Sequence, residues 1–191
     1  YVDVLTGRRS VGQKVAIIGA GGIGFDVAEY LTGSDAETLE PCSFLQAWNV
    51  DPTLASEGGL SAAEPVERGV PSRSRTVIML QRKSEPLGKR LGKSTGWILK
   101  QRLRRENVQM ISGIEYQAVD DEGLHYTQDG VPRVLPVDNV VICAGQESER
   151  GLYHRLAATG MPAQLIGGAD VASELDALRA IEQATRLAAT I

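Results

Sequence analysis

Three glycines near the start of the chain have the spacing of a phosphate-binding turn. In such a turn Gly19 lets the chain leave a strand sharply, Gly21 leaves room for a pyrophosphate, and Gly24 lets a helix pack closely on a sheet. The pyrophosphate is held by the free N–H groups and the positive dipole end of that helix. We therefore predict a dinucleotide site, with a plain glycine-rich turn as the alternative. The predicted contacts are Gly19, Ala20, Gly21, Gly22, Ile23 and Gly24.

The segments on either side of this turn meet its structural requirements. Lys14–Ile18 is a largely apolar, β-branched run, typical of a strand buried on both faces of a parallel sheet. Phe25, Ala28 and Leu31 recur at helical spacing just after the turn. Strand, glycine turn and helix form the opening of a βαβ unit, which is the context that makes the glycine pattern informative.

The end of the second predicted strand indicates which dinucleotide binds. In this fold a carboxylate at that position bonds to the ribose 2′-hydroxyl of NAD, whereas cations pair with the 2′-phosphate of NADP. The strand Thr76–Leu80 is followed by Gln81, Arg82 and Lys83, which bring two cations and no carboxylate to the corner. We therefore predict that these three residues bind NADP(H) rather than NAD. Ordinary solvated charges are the alternative.

A second glycine-rich run, Gly88 to Ser94, looks like the P-loop of a nucleotide hydrolase, but its spacing argues against that class. Three residues separate Gly88 from Gly92, whereas the P-loop needs four so that successive N–H groups curl around a phosphate. Lys89, Arg90 and Lys93 remain a basic cluster that either helps to hold phosphates or forms a solvated face.

Composition and charge exclude several classes of protein. The 191 residues are 42% hydrophobic and carry a net charge of −4, so non-specific binding to nucleic acid has no global electrostatic drive. No apolar run is long enough for a membrane span and no signal peptide is visible, so we expect a cytoplasmic protein without membrane partners. Cys42 and Cys143 are too widely spaced for a zinc site or a local redox pair. The chain begins without Met, which suggests a piece of a longer protein.

The rest of the pattern predicts an α/β fold with a Rossmann-like NAD(P)-binding domain. We expect residues 32–75 to form an insertion that crosses the surface without regular structure. Hairpin turns at Glu122-Gly123 and Asp129-Gly130 predict an antiparallel meander beside the parallel sheet. The other predicted elements of this domain are a basic helix at 97–105 and buried strands at 108–111 and 139–143.

The last 46 residues have a different pattern. After residue 145 we predict a linker, then a short strand at Leu165-Ile166 and a final helix with Ser173 as its N-cap. No arrangement for acid–base or nucleophilic catalysis is recognisable, because His125 and His154 have no nucleophile near them in the sequence. A nicotinamide-binding domain without substrate chemistry works beside another domain, so we expect one here.

The chain resembles the C-terminal part of the bacterial NADPH-dependent 2,4-dienoyl-CoA reductases, which are iron–sulfur flavoenzymes of fatty-acid β-oxidation. The resemblance covers essentially the whole chain, and five pieces found in the same order carry it. They are Val15–Asp26, Met79–Lys83, Leu91–Ile98, Asn139–Glu147 and Leu165–Ala177.

The resemblance implies a larger enzyme in which this chain is one part. An N-terminal TIM barrel would carry FMN and the site for the unsaturated acyl-CoA, followed by a [4Fe–4S] segment and an FAD domain with an NADPH domain inserted. Residues 1–12 would then be a connection, 13–145 the NADPH-binding domain, and 146–191 the C-terminal part of the FAD-binding domain. The barrel and the rest of the FAD domain would be partners within the same full-length chain.

The resemblance also implies further cofactor contacts. Gly168 and Asp170 match a motif whose aspartate contacts the ribityl–pyrophosphate region of FAD, and the backbone at Val171 would face the flavin. The resemblance also implies cofactor contacts at Ala144, Gly145 and Gln146. A related enoate reductase or amine dehydrogenase and a non-catalytic dinucleotide-binding module are the alternatives.

Overall fold

The computed structural model describes residues 1–33, 40–60, 75–173 and 175–190. The chain divides into two compact units, Tyr1–Ala144 and Gly145–Ile191. In the described part of the chain, no helix is both long and apolar enough to cross a bilayer.

A parallel sheet forms the centre of the first unit. Its strands are β1 (Lys14–Ile18), β2 (Thr76–Leu80), β3 (Gln109–Ile111) and β7 (Asn139–Ile142), as the sequence predicts to within one residue. They lie in the order β3-β2-β1-β7, and all neighbours are parallel. Ile18 at the end of β1 is in register with Leu80 of β2 on one side and with Ile142 of β7 on the other. The carboxyl ends of β1, β2 and β7 therefore lie together.

Helices cover one face of this sheet. Helix α2 (Gly22–Thr32) begins three residues earlier than its apolar pattern predicts, and α4 (Gly96–Arg105) matches the predicted basic helix. Phe25 and Leu31 of α2 and Leu103 of α4 pack with alternate residues of β1, Val15 and Ile17, in one buried cluster. Side chains of a strand alternate between the two faces of the sheet, so Val15 and Ile17 are the β1 side chains that the helices cover. A short helix, α1 (Val2–Leu5), precedes the sheet.

The predicted meander covers the other face. Its strands β4 (Ile114–Asp120), β5 (Gly123–Gln128) and β6 (Val131–Leu135) pair antiparallel, with turns where the sequence predicts them. Ala16 of β1 and Ile78 of β2 form a second buried cluster with Leu124 and Tyr126 of β5. The first unit is thus a helix layer, a parallel sheet and a small antiparallel sheet.

The insertion contains more regular structure than expected. Helix α3 (Pro41–Ala47) and a single 3₁₀ turn (Glu57–Gly59) replace part of the predicted irregular segment, while residues 34–39 and 61–74 lie outside the described residues. The guanidinium of Arg105 lies 4.6 Å from the ring centroid of Trp48, so a cation–π contact joins the insertion to α4.

The second unit corrects three sequence predictions. Helix α5 (Gly151–Ala158) occupies the predicted linker, and Leu165-Ile166 is extended but pairs with no strand in the described residues. Helix α6 (Ala177–Ala188) is capped by Asp176, not Ser173: the Asp176 carboxylate accepts from the Arg179 N–H at 2.8 Å. Ser173 lies too far from the first helical residue for an N-cap, whereas Asp176 directly precedes it.

Candidate functional site

Three strand ends converge at the glycine turn. The Gly19 N–H, just after β1, donates to the Leu80 carbonyl of β2 at 3.0 Å. The Cys143 N–H, just after β7, donates to the Ile18 carbonyl at 2.8 Å. In the sheet, β2 and β3 follow one another on one side of β1, and β7, which comes later in the chain, lies on the other side of β1. The strand order therefore reverses at β1. Ligands of open parallel sheets bind at such a reversal of strand order, outside the carboxyl ends.

The glycines of the turn are required for different reasons. A Cβ on Gly24 would lie 2.0 Å from the Gly19 carbonyl oxygen, and a Cβ on Gly19 would lie 2.8 Å from the Cys143 backbone. Gly19 also has φ +110°, which other residues rarely adopt. A Cβ on Gly21, by contrast, would meet no atom within 4 Å. Packing therefore explains Gly19 and Gly24, while Gly21 borders open space of the kind that a pyrophosphate needs.

The start of helix α2 faces this space without a protein cap. Gly21 is the N-cap residue and no side chain bonds to the first turn. The first turn holds no acidic side chain, and the helix ladder begins with the Phe25 N–H bonded to the Gly21 carbonyl at 3.2 Å. The N–H groups before it and the positive dipole end are thus available to an anion.

A pocket of about 260 Å³ lies beside the glycine turn. Four groups of residues line it: the turn, the loop after β2, Tyr116 of β4, and the end of β7. They are Ile18, Gly19, Ala20, Gly21, Gln81, Arg82, Lys83, Glu85, Pro86, Gly88, Lys89, Arg90, Tyr116, Cys143 and Ala144.

The loop after β2 presents Arg82 and Lys83 to the pocket. The Gln81 side-chain amide donates to the backbone carbonyls of Lys83 and Glu85, which folds the loop tightly. Arg82 and Lys83 are exposed and make no ion pair or side-chain hydrogen bond with any described residue. Two cations are thus held at the end of β2 and left available to an anionic ligand.

The pocket also contains a carboxylate that the sequence interpretation does not place at this corner. Glu85 lines the pocket, and its carboxylate lies 3.2 Å from Lys89 Nζ and 3.7 Å from Arg90 Nε. The hydrogen bond from Lys89 holds the pKa of Glu85 below its usual range, so Glu85 is ionised at neutral pH. Residues 85–89 form an irregular turn and not a helix, so the spacing of this pair gave no sequence signal.

Two further pocket residues were not among the predicted contacts. The Tyr116 hydroxyl donates to the Leu80 carbonyl at 2.9 Å, and burial raises its pKa to about 12, so the phenol is neutral. Cys143 is a free thiol whose pKa burial raises to about 11. Both groups are uncharged at neutral pH. The described residues contain no cluster of His, Cys, Asp and Glu able to hold a metal ion.

Residues 4–176 match the pyridine nucleotide-disulphide oxidoreductase family. The chain belongs to this family. It is a pyridine nucleotide and flavin oxidoreductase domain with an α/β dinucleotide-binding fold, and the glycine turn and its pocket lie in the matched region. Membership in the family implies binding of both a pyridine nucleotide and a flavin.

Known proteins similar to this oxidoreductase domain are several times longer. The chain is 25% identical over 167 residues to a metal reductase of Desulforamulus reducens, which is 87% of this chain and 23% of that protein. Its fold resembles that of a 2-naphthoyl-CoA reductase solved with 2-naphthoyl-CoA (TM-score 0.62, 19% identity, 95% of this chain and 22% of that one). It also resembles histamine dehydrogenase from Rhizobium sp. 4-9 (TM-score 0.64, 14% identity, 98% of this chain and 23% of that one).

The first unit of this domain brings together part of the predicted nucleotide contacts. Gly19, Ala20 and Gly21 line the pocket with Gln81, Arg82, Lys83 and Ala144, while Gly22, Ile23 and Gly24 form the first turn of α2. The remaining predicted contacts belong to the second unit: Gly145, Gln146, Gly168, Asp170 and Val171.

Asp170 of the second unit is held in a defined orientation. The Gln183 side chain of α6 donates to Asp170 Oδ2 at 2.7 Å and accepts from the Gly167 N–H at 2.8 Å. Gly167 has φ +58°, and its 3₁₀ turn (Gly167–Ala169) leads directly into Asp170. The other carboxylate oxygen, Oδ1, has no hydrogen bond to any described residue, so it is available to a ligand.

Proposed function

We propose that this domain binds NADP(H) and passes its hydride to an FAD held partly by the second unit. The observation that carries the proposal is the pair Arg82 and Lys83, exposed at the end of β2 and without ion pairs in the described residues. A 2′-phosphate carries about two negative charges and pairs well with an arginine fork and a lysine. The reduced nucleotide supplies the hydride when bound.

The residues of the chain have separate tasks in this proposal. The open backbone at Gly21 and the uncapped start of α2 bind the pyrophosphate. Arg82 and Lys83 select the 2′-phosphate, and Gln81 keeps their loop folded. The oriented carboxylate of Asp170, in the second unit, would contribute to holding FAD.

We propose further that the parent enzyme is a 2,4-dienoyl-CoA reductase. The five sequence pieces from Val15 to Ala177 support this assignment. The substrate-reducing barrel, with FMN, and the [4Fe–4S] segment would belong to other parts of the same full-length protein. A related enoate reductase or amine dehydrogenase is the alternative.

Nucleotide selectivity can be tested by calorimetric titration of the protein with NADPH and NADH, using matched charge reversals. Arg82→Glu should weaken NADPH binding roughly 10- to 100-fold, because a charge-assisted bond to the 2′-phosphate is replaced by repulsion. NADH affinity should stay within about threefold, since NADH has no such phosphate.

Lys93→Glu is the matched control. Lys93 lies in the same loop region but does not line the pocket, and it makes no ion pair in the described part of the chain. It should leave both affinities within about twofold, as expected for a distant exposed charge. Equal affinity of the unchanged protein for NADPH and NADH, or equal loss of both in Arg82→Glu, would contradict the proposed selectivity.

A further inference from the structure

The nucleotide pocket holds four cations and one carboxylate. Arg82, Lys83, Lys89 and Arg90 all line it together with Glu85. Lys89 and Arg90 form ion pairs with Glu85, whereas Arg82 and Lys83 form none among the described residues; Lys83 acts on the carboxylate only at longer range, where its charge helps to lower the pKa of Glu85. The four positive charges are therefore not equivalent toward an incoming anion.

Glu85 is fixed more firmly than the cations that contact it. Its side chain is 26% exposed, against 65% for Lys89 and 59% for Arg90. Its backbone carbonyl accepts a hydrogen bond from the Gln81 side chain, so the backbone from which the carboxylate extends is anchored to the tight turn after β2. The two cations have long, largely solvated side chains. A phosphate in the pocket would therefore compete with an anchored carboxylate for movable cations.

We infer that Glu85 is a specificity-determining residue, which withholds Lys89 and Arg90 from the ligand and repels a 2′-phosphate. The inference rests on the proposed NADP(H) function and deepens it. Glu85 limits the affinity for NADPH, because its negative charge lies on the wall of the pocket that the dianionic 2′-phosphate enters. It has little effect on NADH, whose 2′-hydroxyl carries no charge.

The direct test is Glu85→Gln in the protein titrated with NADPH and NADH. The substitution keeps the size and shape of the side chain and removes its charge. NADPH should bind about three- to tenfold more tightly, the range expected for partly exposed charges at close distance. NADH affinity should be unchanged or slightly lower. Glu122→Gln, in the turn between β4 and β5 outside the pocket, is the matched control and should alter neither affinity.

A double-mutant cycle with Lys89→Gln tests separately whether Glu85 keeps Lys89 from binding the ligand. With Glu85 present, Lys89→Gln should change NADPH affinity less than about twofold, because Lys89 is already neutralised by its partner. In the Glu85→Gln background, the same substitution should weaken NADPH binding about three- to tenfold, because Lys89 is then available to the phosphate.

Several outcomes would overturn the inference. They are weaker or unchanged NADPH binding in Glu85→Gln, an equal gain for NADH, and an equal effect of Lys89→Gln in both backgrounds. If the proposed NADP(H) function itself is wrong, the result is different, because Arg82→Glu would then leave the ratio of NADPH affinity to NADH affinity unchanged. Loss of preference in Arg82→Glu without a gain in Glu85→Gln would overturn the role of Glu85 alone.

Discussion

Within the glycine turn, residues of the same type meet different physical demands. Gly24 has no space for a Cβ because the Gly19 carbonyl oxygen occupies it, whereas Gly21 has no protein atom within 4 Å of that position. Steric need from the fold explains the first residue. The fold does not require the second, and the open space beside it fits the proposal that a pyrophosphate approaches the backbone there.

Substituting each glycine by alanine should separate stability from binding. Gly24→Ala should lower the free energy of unfolding by about 1–3 kcal/mol or more, because the new methyl overlaps the Gly19 carbonyl. Gly21→Ala should cost less than about 1 kcal/mol, since Gly21 has φ −82° and open surroundings, yet it should weaken nucleotide binding strongly. Urea unfolding and NADPH titration measure the two effects. Unchanged nucleotide affinity in Gly21→Ala would argue for a plain structural turn.

At the scale of elements, the carbonyl of Leu80 joins three parts of the first unit. This last residue of β2 accepts from the Gly19 N–H at 3.0 Å and from the Tyr116 hydroxyl at 2.9 Å. The glycine turn, the parallel sheet and the meander are thus connected at one atom beside the pocket. The meander therefore holds the edge of the proposed nucleotide pocket in place as well as covering the sheet.

Tyr116→Phe should weaken this connection without leaving a buried group unpaired. We expect a loss of roughly 0.5–1.5 kcal/mol in the free energy of unfolding, because one hydrogen bond disappears while the Leu80 carbonyl keeps its bond from Gly19. Tyr126→Phe is the control: Tyr126 pairs with Tyr116 across the meander, and its hydroxyl makes no hydrogen bond with a described residue. That variant should differ from the unchanged protein by less than about 0.5 kcal/mol. Equal losses in both variants would contradict the role of the Tyr116 bond.

At the scale of the whole molecule, the chain consists of two compact units, and the proposed function gives nucleotide binding to the first and a contact with FAD to the second. All lining residues of the nucleotide pocket belong to the first unit, and Asp170 with its supporting Gln183 belongs to the second. The chain spans 22% of the 2-naphthoyl-CoA reductase structure, 23% of the histamine dehydrogenase structure and 23% of the metal reductase. The step that reduces the final substrate is therefore proposed to take place outside these 191 residues.

This division predicts which protein should show the full activity. The full-length gene product should oxidise NADPH, followed at 340 nm, when a 2,4-dienoyl-CoA is added. The 191-residue chain alone should show no such dependence on the thioester. The Arg82→Glu variant of the full-length protein should lose most of the rate at low NADPH concentration. Turnover of dienoyl-CoA by the short chain, or turnover of an amine by the full-length protein, would contradict the proposed assignment.

Much of the first unit could be predicted from local pattern alone. The strands β1, β2 and β7 are continuous apolar runs, and the turns of the meander contain glycine after an acidic residue, so their positions follow from short-range signals. The second unit was predicted less well. Helix α5 has no buried residue, so its sequence gives no clear apolar pattern, whereas α6 was predicted as a helix and only its N-cap was placed three residues too early.

The sequence by itself determined the glycine turn, the cations after β2 and the α/β class, because each depends on residues close together in the chain. Only the tertiary structure decided that Tyr116 and Glu85 share the pocket with Gly21. Tyr116 reaches it because the meander folds across the sheet, and Glu85 because the Gln81 side chain closes the loop. The first contact joins residues 36 positions apart and depends on the packing of one sheet on another, and the second depends on the shape of an irregular loop. Residue types and spacing specify neither.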